Sequence, residues 1–301
     1  MLVIGALVAV AFALPPGVLP TQEPVPTLSP RSPTPTPAAT ATESPTADES
    51  LQARIAIAGD TGTRGAAAKA TARSMEAEDQ KGPRPYDALI LLGDIIYPNG
   101  DSALTSASIT KLFAGTLDSA KLIPALGNHD VQSREQRDIL SKLGRSSSWY
   151  AEQVGPVRVL ALDSNQVGNK QQLAWLRDEL AKKQEPDTWT IAAMHHPAYS
   201  AGDHGSTKSV QRLWVPLFEQ AGMRLVLAGH DHDYQRSKPL NNITYIVSGG
   251  GAKLRGVGHA SFTEFSKSVY HFVDLEVYKD RLEGRAIGHD GEVIDSWTIN
   301  R

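Results

Sequence analysis

Four short apolar runs in this chain end the same way: a glycine, then a side chain that can bind a metal. "RIAIAGD" ends in Gly59-Asp60 and "DALILLGD" in Gly93-Asp94. "KLIPALGNHD" ends in Gly127-Asn128-His129-Asp130, and "MRLVLAGHDH" in Gly229-His230-Asp231-His232. A fifth run, "WTIAAMHHP", carries His195-His196 behind Met194. Apolar runs of this length bounded by glycine predict strands buried on both faces. Helix-compatible segments lie between them, at about 64–79, 103–120, 132–143, 168–183 and 207–221. In "NKQQLAWLRDELAKK", for instance, Leu173, Leu176 and Leu180 share one helical face. Alternating strands and helices imply a largely parallel sheet covered by helices. Such sheets gather functional groups at the carboxyl ends of their strands. Glycine there permits a sharp exit and close backbone approach. After Asn242, "ITYIVSGGG", "VYHFVDLEVY", "DRLEGRAIG" and "EVIDSWTIN" read as antiparallel strands, so the sheet is mixed. Residues 154–164 add another strand.

The rest of the chain narrows the setting. Residues 1–14 form a continuous apolar run, short for a membrane span of ~20 residues. They fit a secretory signal peptide, with Ala11-Phe12-Ala13 as an A-x-A cleavage site. No Lys or Arg precedes the run, so an uncleaved membrane anchor is the second reading. Residues 15–50 hold ten of the 19 prolines and no aromatic residue. That composition cannot bury enough apolar surface to offset ordering, and reads as a disordered Pro/Thr/Ser-rich tether. The folded unit is then 51–301, secreted or tethered at the cell surface. A net charge of −3 gives no basic footprint for a nucleic-acid partner. With no cysteine, disulfides and thiolate metal sites are excluded.

Two histidines at i and i+2 project the same way in extended chain, so His230 and His232 can face one site. Asp60, Asp94, Asn128 and His195 hold equivalent points on other strands. Two carboxylates, one amide and three imidazoles exceed the four ligands of a tetrahedral zinc. They suit two ions sharing a carboxylate, held ~3.5–4 Å apart to clamp an in-line displacement. Oxygen and nitrogen donors favour Fe, Mn or Zn. His196 follows a ligand but points to the opposite face in extended chain, and reads as a support behind the ligands or as packing. His259, His271 and His289 lie outside every motif and read as surface or packing residues.

The order Asp…Gly-Asp…Gly-Asn-His-Asp…His…Gly-His-x-His resembles the calcineurin-like metallophosphoesterase superfamily. "GDTG" has Gly62 where most members have a metal-binding histidine, and "GDIIY" has Tyr97 three residues after Asp94. Together these resemble the purple acid phosphatases, in particular the small tartrate-resistant acid phosphatase type. The resemblance implies a four-layer α/β fold, in which mixed β-sheets pack as a sandwich flanked by helices. It implies a ferric ion on Asp60, Tyr97 and His232, and a divalent Fe, Zn or Mn on Asn128, His195 and His230, with Asp94 bridging. It also implies that Asn128, His129 and His204 contact the phosphate, and that His129 or His204 protonates the leaving group. Asp130 either orients His129 or sits in a surface loop. The activity implied is acid hydrolysis of small phosphate monoesters, by in-line attack of a metal-held hydroxide, in a monomeric enzyme. A phosphodiesterase is the alternative within the fold. Lys253 and Arg255 lie near the expected site; they read as solvated loop charges, with binding of an extra phosphate or a nucleotide as the alternative. A non-catalytic surface binding module is the alternative of another class, and the full ligand set argues against it.

Overall fold

A computed structural model describes residues 51–301; the leader, anchor and tether expectations fall on residues 1–50, outside the described residues. Along the chain run β1 (Leu51–Ala58), α1 (Ala66–Lys81), β2 (Ala88–Leu92), α2 (Ala114–Leu117), β3 (Lys121–Ala125) and α3 (Gln136–Lys142). Then come β4 (Tyr150–Val154), β5 (Val157–Ala161), α4 (Lys170–Ala181), β6 (Trp189–Ala193), α5 (Lys208–Leu213), α6 (Val215–Gln220) and β7 (Leu225–Ala228). The chain ends with β8 (Tyr234–Ser237), β9 (Thr244–Ser248), β10 (Thr263–Lys267), β11 (His271–Tyr278), β12 (Arg281–Gly288) and β13 (Val293–Asn300).

The strands make two mixed sheets, ordered β13-β12-β11-β1-β2-β3 and β10-β8-β9-β7-β6-β5-β4. Alternation of side chains along each strand sorts the apolar residues into layers. In β1, Ile55 and Ile57 face the other sheet, where they meet Val159, Ile191 and Leu227. Ala56 and Ala58 face outward, beneath Met75 of α1 and Phe113. Across the sandwich, Leu160 and Val226 pack under Leu176, Trp214 and Phe218 of the α4–α6 layer. The result is a four-layer arrangement: helices, sheet, sheet, helices. A fully buried Arg54 ties β1 to its surroundings. Its Nε and Nη2 each donate to Asp274 of β11 at 3.0 Å, and its guanidinium stacks 4.2 Å above the Tyr86 ring.

Several sequence expectations change. The single mixed sheet read from the strand pattern alone is two, as the family resemblance implied. "ITYIVSGGG" holds β9, which pairs parallel to β7, and is antiparallel only to β8. The region expected as a helix over 103–120 is broken into single turns before α2. Its hydroxyls compete for backbone carbonyls: Thr105 Oγ1 donates to Ser102 O at 2.7 Å. The helix expected over 207–221 is split at Trp214 into α5 and α6, with Pro216 in the first turn of α6. The short strands β4, β8 and β10 were not read from the sequence.

Candidate metal centre

The parallel strands of both sheets end at one edge. Beyond β1, β2 and β3 lie Asp60, Asp94 and Asn128; beyond β6 and β7 lie His195, His230 and His232. A backbone bond from Gly59 N to Ser248 O, 2.8 Å, joins the two sheets at this edge. Three of the gathered residues hold left-handed backbone: Asp60 (φ 59°), Asp94 (φ 51°) and His230 (φ 73°). Non-glycine residues pay a steric penalty there, and such strain concentrates at functional sites.

The side chains fall into two triads. In the first, the Tyr97 hydroxyl lies 3.2 Å from Asp60 Oδ1 and 3.2 Å from His232 Nε2, which is itself 3.4 Å from Asp60 Oδ1. In the second, His195 Nε2 lies 3.0 Å from Asn128 Oδ1 and 3.1 Å from His230 Nδ1. Asp94 stands between them. Its Oδ2 accepts from the Tyr97 hydroxyl at 2.9 Å, and its Oδ1 lies 3.4 Å from His195 Nε2. Gly62 explains why the tyrosine is needed. A Cβ there would lie 2.3 Å from the Ile95 carbonyl carbon, so no side chain reaches the first triad from position 62.

Electrostatics decide whether these residues suit cations. The His195 Nδ1–H donates to Leu92 O at 2.8 Å, which leaves Nε2 as a lone pair. That lone pair faces the Asn128 oxygen, so two electron-pair donors meet with no proton between them. His232 Nδ1 is buried without a partner. Burial, then the charge of Asp94, raises Asp60 well above the ordinary carboxylate range. Burial, then Asp60 and Asp94, pushes the Tyr97 phenol up. Burial, then His195, holds His230 down at about 2, while burial, then Lys253 and Arg255, holds His232 at about 4. Neutral imidazoles are the ligating form. Crowded buried carboxylates beside neutral nitrogens are stable together only with positive charge among them. The donor set therefore fits two cations.

The remaining candidates take varied positions. His129 leans on Tyr97, ring centroids 4.6 Å apart, with Nδ1 on the Pro98 carbonyl and Nε2 3.9 Å from Asp94 Oδ2. The His204 ring lies 4.2 Å from that of His230. Its Nδ1 is 3.0 Å from Asp231 Oδ1, and its Nε2 accepts from Arg255 at 3.0 Å. In that arrangement His204 has no proton facing the centre. Asp130 neither orients His129 nor lies on the surface. It is fully buried and accepts the backbone N–H groups of Ile95, Ile96 and Gly127 at 3.1, 2.8 and 2.8 Å. His196 supports the centre from behind: its ring lies 4.5 Å from that of His230, turned toward the centre rather than to the opposite face, with Nδ1 on Ser164 Oγ. The backbone leaves extended geometry after β6, which defeats a face assignment from alternation alone. Lys253 and Arg255 are likewise rim residues in contact with Tyr97 and His204, not free loop charges.

A groove of about 750 Å³ is lined by Gln136, Arg137, Trp149, Asp163 and Asn165 among others, and by no donor of either triad. Asn165 fixes its inner wall by donating to the carbonyls of Leu126 and Gly127, just ahead of Asn128.

Comparison with known proteins agrees with this architecture. The chain is 26% identical over 229 residues to purple acid phosphatase 21 of Arabidopsis thaliana, covering 67% of this chain and 51% of that protein. It is 32% identical over 114 residues to tartrate-resistant acid phosphatase type 5 of Oryctolagus cuniculus, covering 38% and 33%. It thus spans about half of the one and a third of the other. The fold matches a purple acid phosphatase from yellow lupin (Lupinus luteus) seeds with a TM-score of 0.70 at 20% identity, over 83% of this chain and 54% of that one. The calcineurin-like phosphoesterase family model matches residues 53–234, the span that runs from β1 past every donor of both triads, and the chain belongs to that family.

Proposed function

We propose that this protein is a binuclear acid phosphatase that hydrolyses phosphate monoesters. The observation that carries the reading is Asp94: each carboxylate oxygen addresses a different triad. One cation would be held by Asp60, Tyr97 and His232, the other by Asn128, His195 and His230, with Asp94 shared. Two bound cations supply Lewis acidity, neutralising charge on the phosphoryl oxygens and acidifying water. A buried phenol becomes a hard anionic donor once ionised, so the first site favours Fe(III) and the second Fe(II), Zn or Mn.

The protein's own groups do the rest. Left-handed backbone and buried hydrogen bonds fix the donors before substrate arrives, which suits a reaction that needs positioning and charge neutralisation. His129 keeps Nε2 directed at the centre and, when both ring nitrogens carry protons, donates the Nε2 proton to the departing alkoxide. His204, held between Asp231 and Arg255, orients rather than protonates. Export, with residues 15–50 as a tether, belongs to the same proposal; N-terminal sequencing of the protein recovered outside the cell tests it.

The decisive experiment measures metal content, visible absorption and pH-dependent hydrolysis of an aryl phosphate and of its bis-aryl diester. We expect two metal ions per chain, a tyrosinate-to-iron absorption band and a preference for the monoester. A colourless, iron-free protein with full activity would overturn the Tyr97 assignment, and faster diester turnover would overturn the monoester reading.

A further inference from the structure

Tyr97 stands on neither a strand nor a helix; it lies in the loop that follows β2. Its direction is therefore set by whatever grips that loop. Buried Asp130 accepts the N–H groups of Ile95 and Ile96. The N–H of Tyr97 donates to Gly62 O at 3.1 Å, and Gly62 N donates to Asp94 O at 3.0 Å. The Tyr97 carbonyl accepts from Arg64 Nη1 at 3.1 Å.

The same nitrogen donates to Gly62 O at 3.2 Å and to Ser108 Oγ at 3.1 Å. All three acceptors are neutral: two carbonyls and a hydroxyl. Arg64 itself holds left-handed backbone, φ 58°, which a non-glycine residue adopts at a steric cost. One guanidinium nitrogen thus joins three segments. They are the loop after β1 that carries Asp60, the loop after β2 that carries Asp94 and Tyr97, and the helical turn Ser106–Thr110. It governs both polar groups of the Tyr97 backbone, the carbonyl directly and the N–H through Gly62 O. Because Gly62 offers the first triad no side chain, the donor comes from the neighbouring loop, and Arg64 fastens one loop to the other. A guanidinium keeps its charge throughout the acid range, so this grip holds where histidines change state.

We propose that Arg64 is a positioning residue for Tyr97: it sets how far the phenol reaches into the first cation site, and with that the affinity of the site. This rests on the two-cation reading of the centre. Without Arg64 the loop is free to carry the hydroxyl away from Asp60 and His232. A phenolate that reaches less far donates less charge. A ferric ion is then the stronger electron acceptor, and charge transfer to it takes less energy. Outer partners of this kind cost about 10–100-fold in metal affinity when they are removed.

The test compares the wild type with Arg64→Met, Arg64→Lys, Ser108→Ala and Arg54→Ala, the last of which destabilises the opposite end of β1. Two readouts need no turnover. One is the visible band of the iron-loaded protein. The other is the ring-carbon magnetic resonance of Tyr97 in metal-free protein labelled at tyrosine, identified by its absence from Tyr97→Phe. We expect Arg64→Met to weaken iron binding about 10–100-fold, to move the band to longer wavelength and to displace the ring resonance. Arg64→Lys keeps a charge and three N–H donors and should recover most of each change. Ser108→Ala should shift both readouts the same way by less, and it carries the test should Arg64→Met not fold. Arg54→Ala should lower Tm and leave the band in place. An unmoved band and an unmoved resonance in Arg64→Met, or an equal shift in Arg54→Ala, would overturn the assignment. A wild type that binds iron without the band, while Arg64→Met still displaces the resonance, would sink the tyrosinate reading and leave the positioning role standing. A wild type with the band, and Arg64 variants that keep it unchanged, would do the reverse.

Discussion

Tyr97 and His129 sit side by side yet should fail in different ways. Tyr97→Phe removes the only oxygen that its side chain can offer the first cation; the visible band should vanish and iron content fall, as absorption and elemental analysis would show. His129→Gln should leave metal content alone. Its effect should depend on the leaving group: general acids contribute about 10²–10⁴-fold, so an alkyl phosphate should slow by that factor while a nitrophenyl phosphate, whose phenolate needs no proton, should barely change. Equal slowing of both would reassign His129 to phosphate binding. The side chains gathered in the two triads were legible in the sequence because each follows an apolar run that ends at one sheet edge. The roles of Asp130 and Arg255 were not. Asp130 is engaged by N–H groups more than thirty positions away, and Arg255 meets His204 only because a later loop folds back.

At the scale of elements, two buried groups join pieces distant in sequence. Arg54 links β1 to β11, the rim of α1 and Tyr86. Arg54→Ala removes the bidentate partner of buried Asp274 and leaves it Arg285 alone, so the cost in chemical denaturation should fall at or below the ~3 kcal/mol of a fully broken buried pair. His271 links the sheets: Nδ1 donates to Val269 O at 3.0 Å, and Nε2 accepts from Ser248 of β9 at 3.0 Å. Burial is the main cause that holds its imidazole down at about 4. The unfolded chain takes up a proton near pH 6.5 and the folded chain does not until about pH 4. Stability is therefore fully present above the unfolded value and drains as the pH falls through that window. At 1.36 kcal/mol for each pH unit the contribution is about 3 kcal/mol. Denaturation midpoints measured from pH 7 to 4 should show the loss in the wild type and a shallower decline in His271→Gln. An identical slope in both would refute the assignment. The strands with long apolar runs were readable; β4, β8 and β10 were not, because "YAEQV", "YQRS" and "TEFSK" are short and carry charged or polar residues that mask the alternation.

For the whole molecule, the layered core supports the centre from a distance. Ile191→Ala opens a cavity between the sheets, well behind the donors, and should cost about 2–5 kcal/mol. Removing the metals should also be visible in stability: an ion present at a thousand times its Kd contributes about 4 kcal/mol. For a domain of this size that is a fall in Tm of about 10 °C per ion on chelation, measurable by calorimetry; an unchanged Tm would mean that the donors hold no ion tightly. The arrangement of the donors carries a consequence for how such a chain ages and adapts. Asp60, Asp94, Tyr97 and Asn128 hang from one sheet, and His195, His230 and His232 from the other. Cations bound there would add a second clasp across the mouth of the sandwich, beside the Gly59–Ser248 backbone bond. Any substitution that alters the spacing between the sheets, however remote, loosens the clasp, and metal retention becomes a gauge of how well the two halves fit.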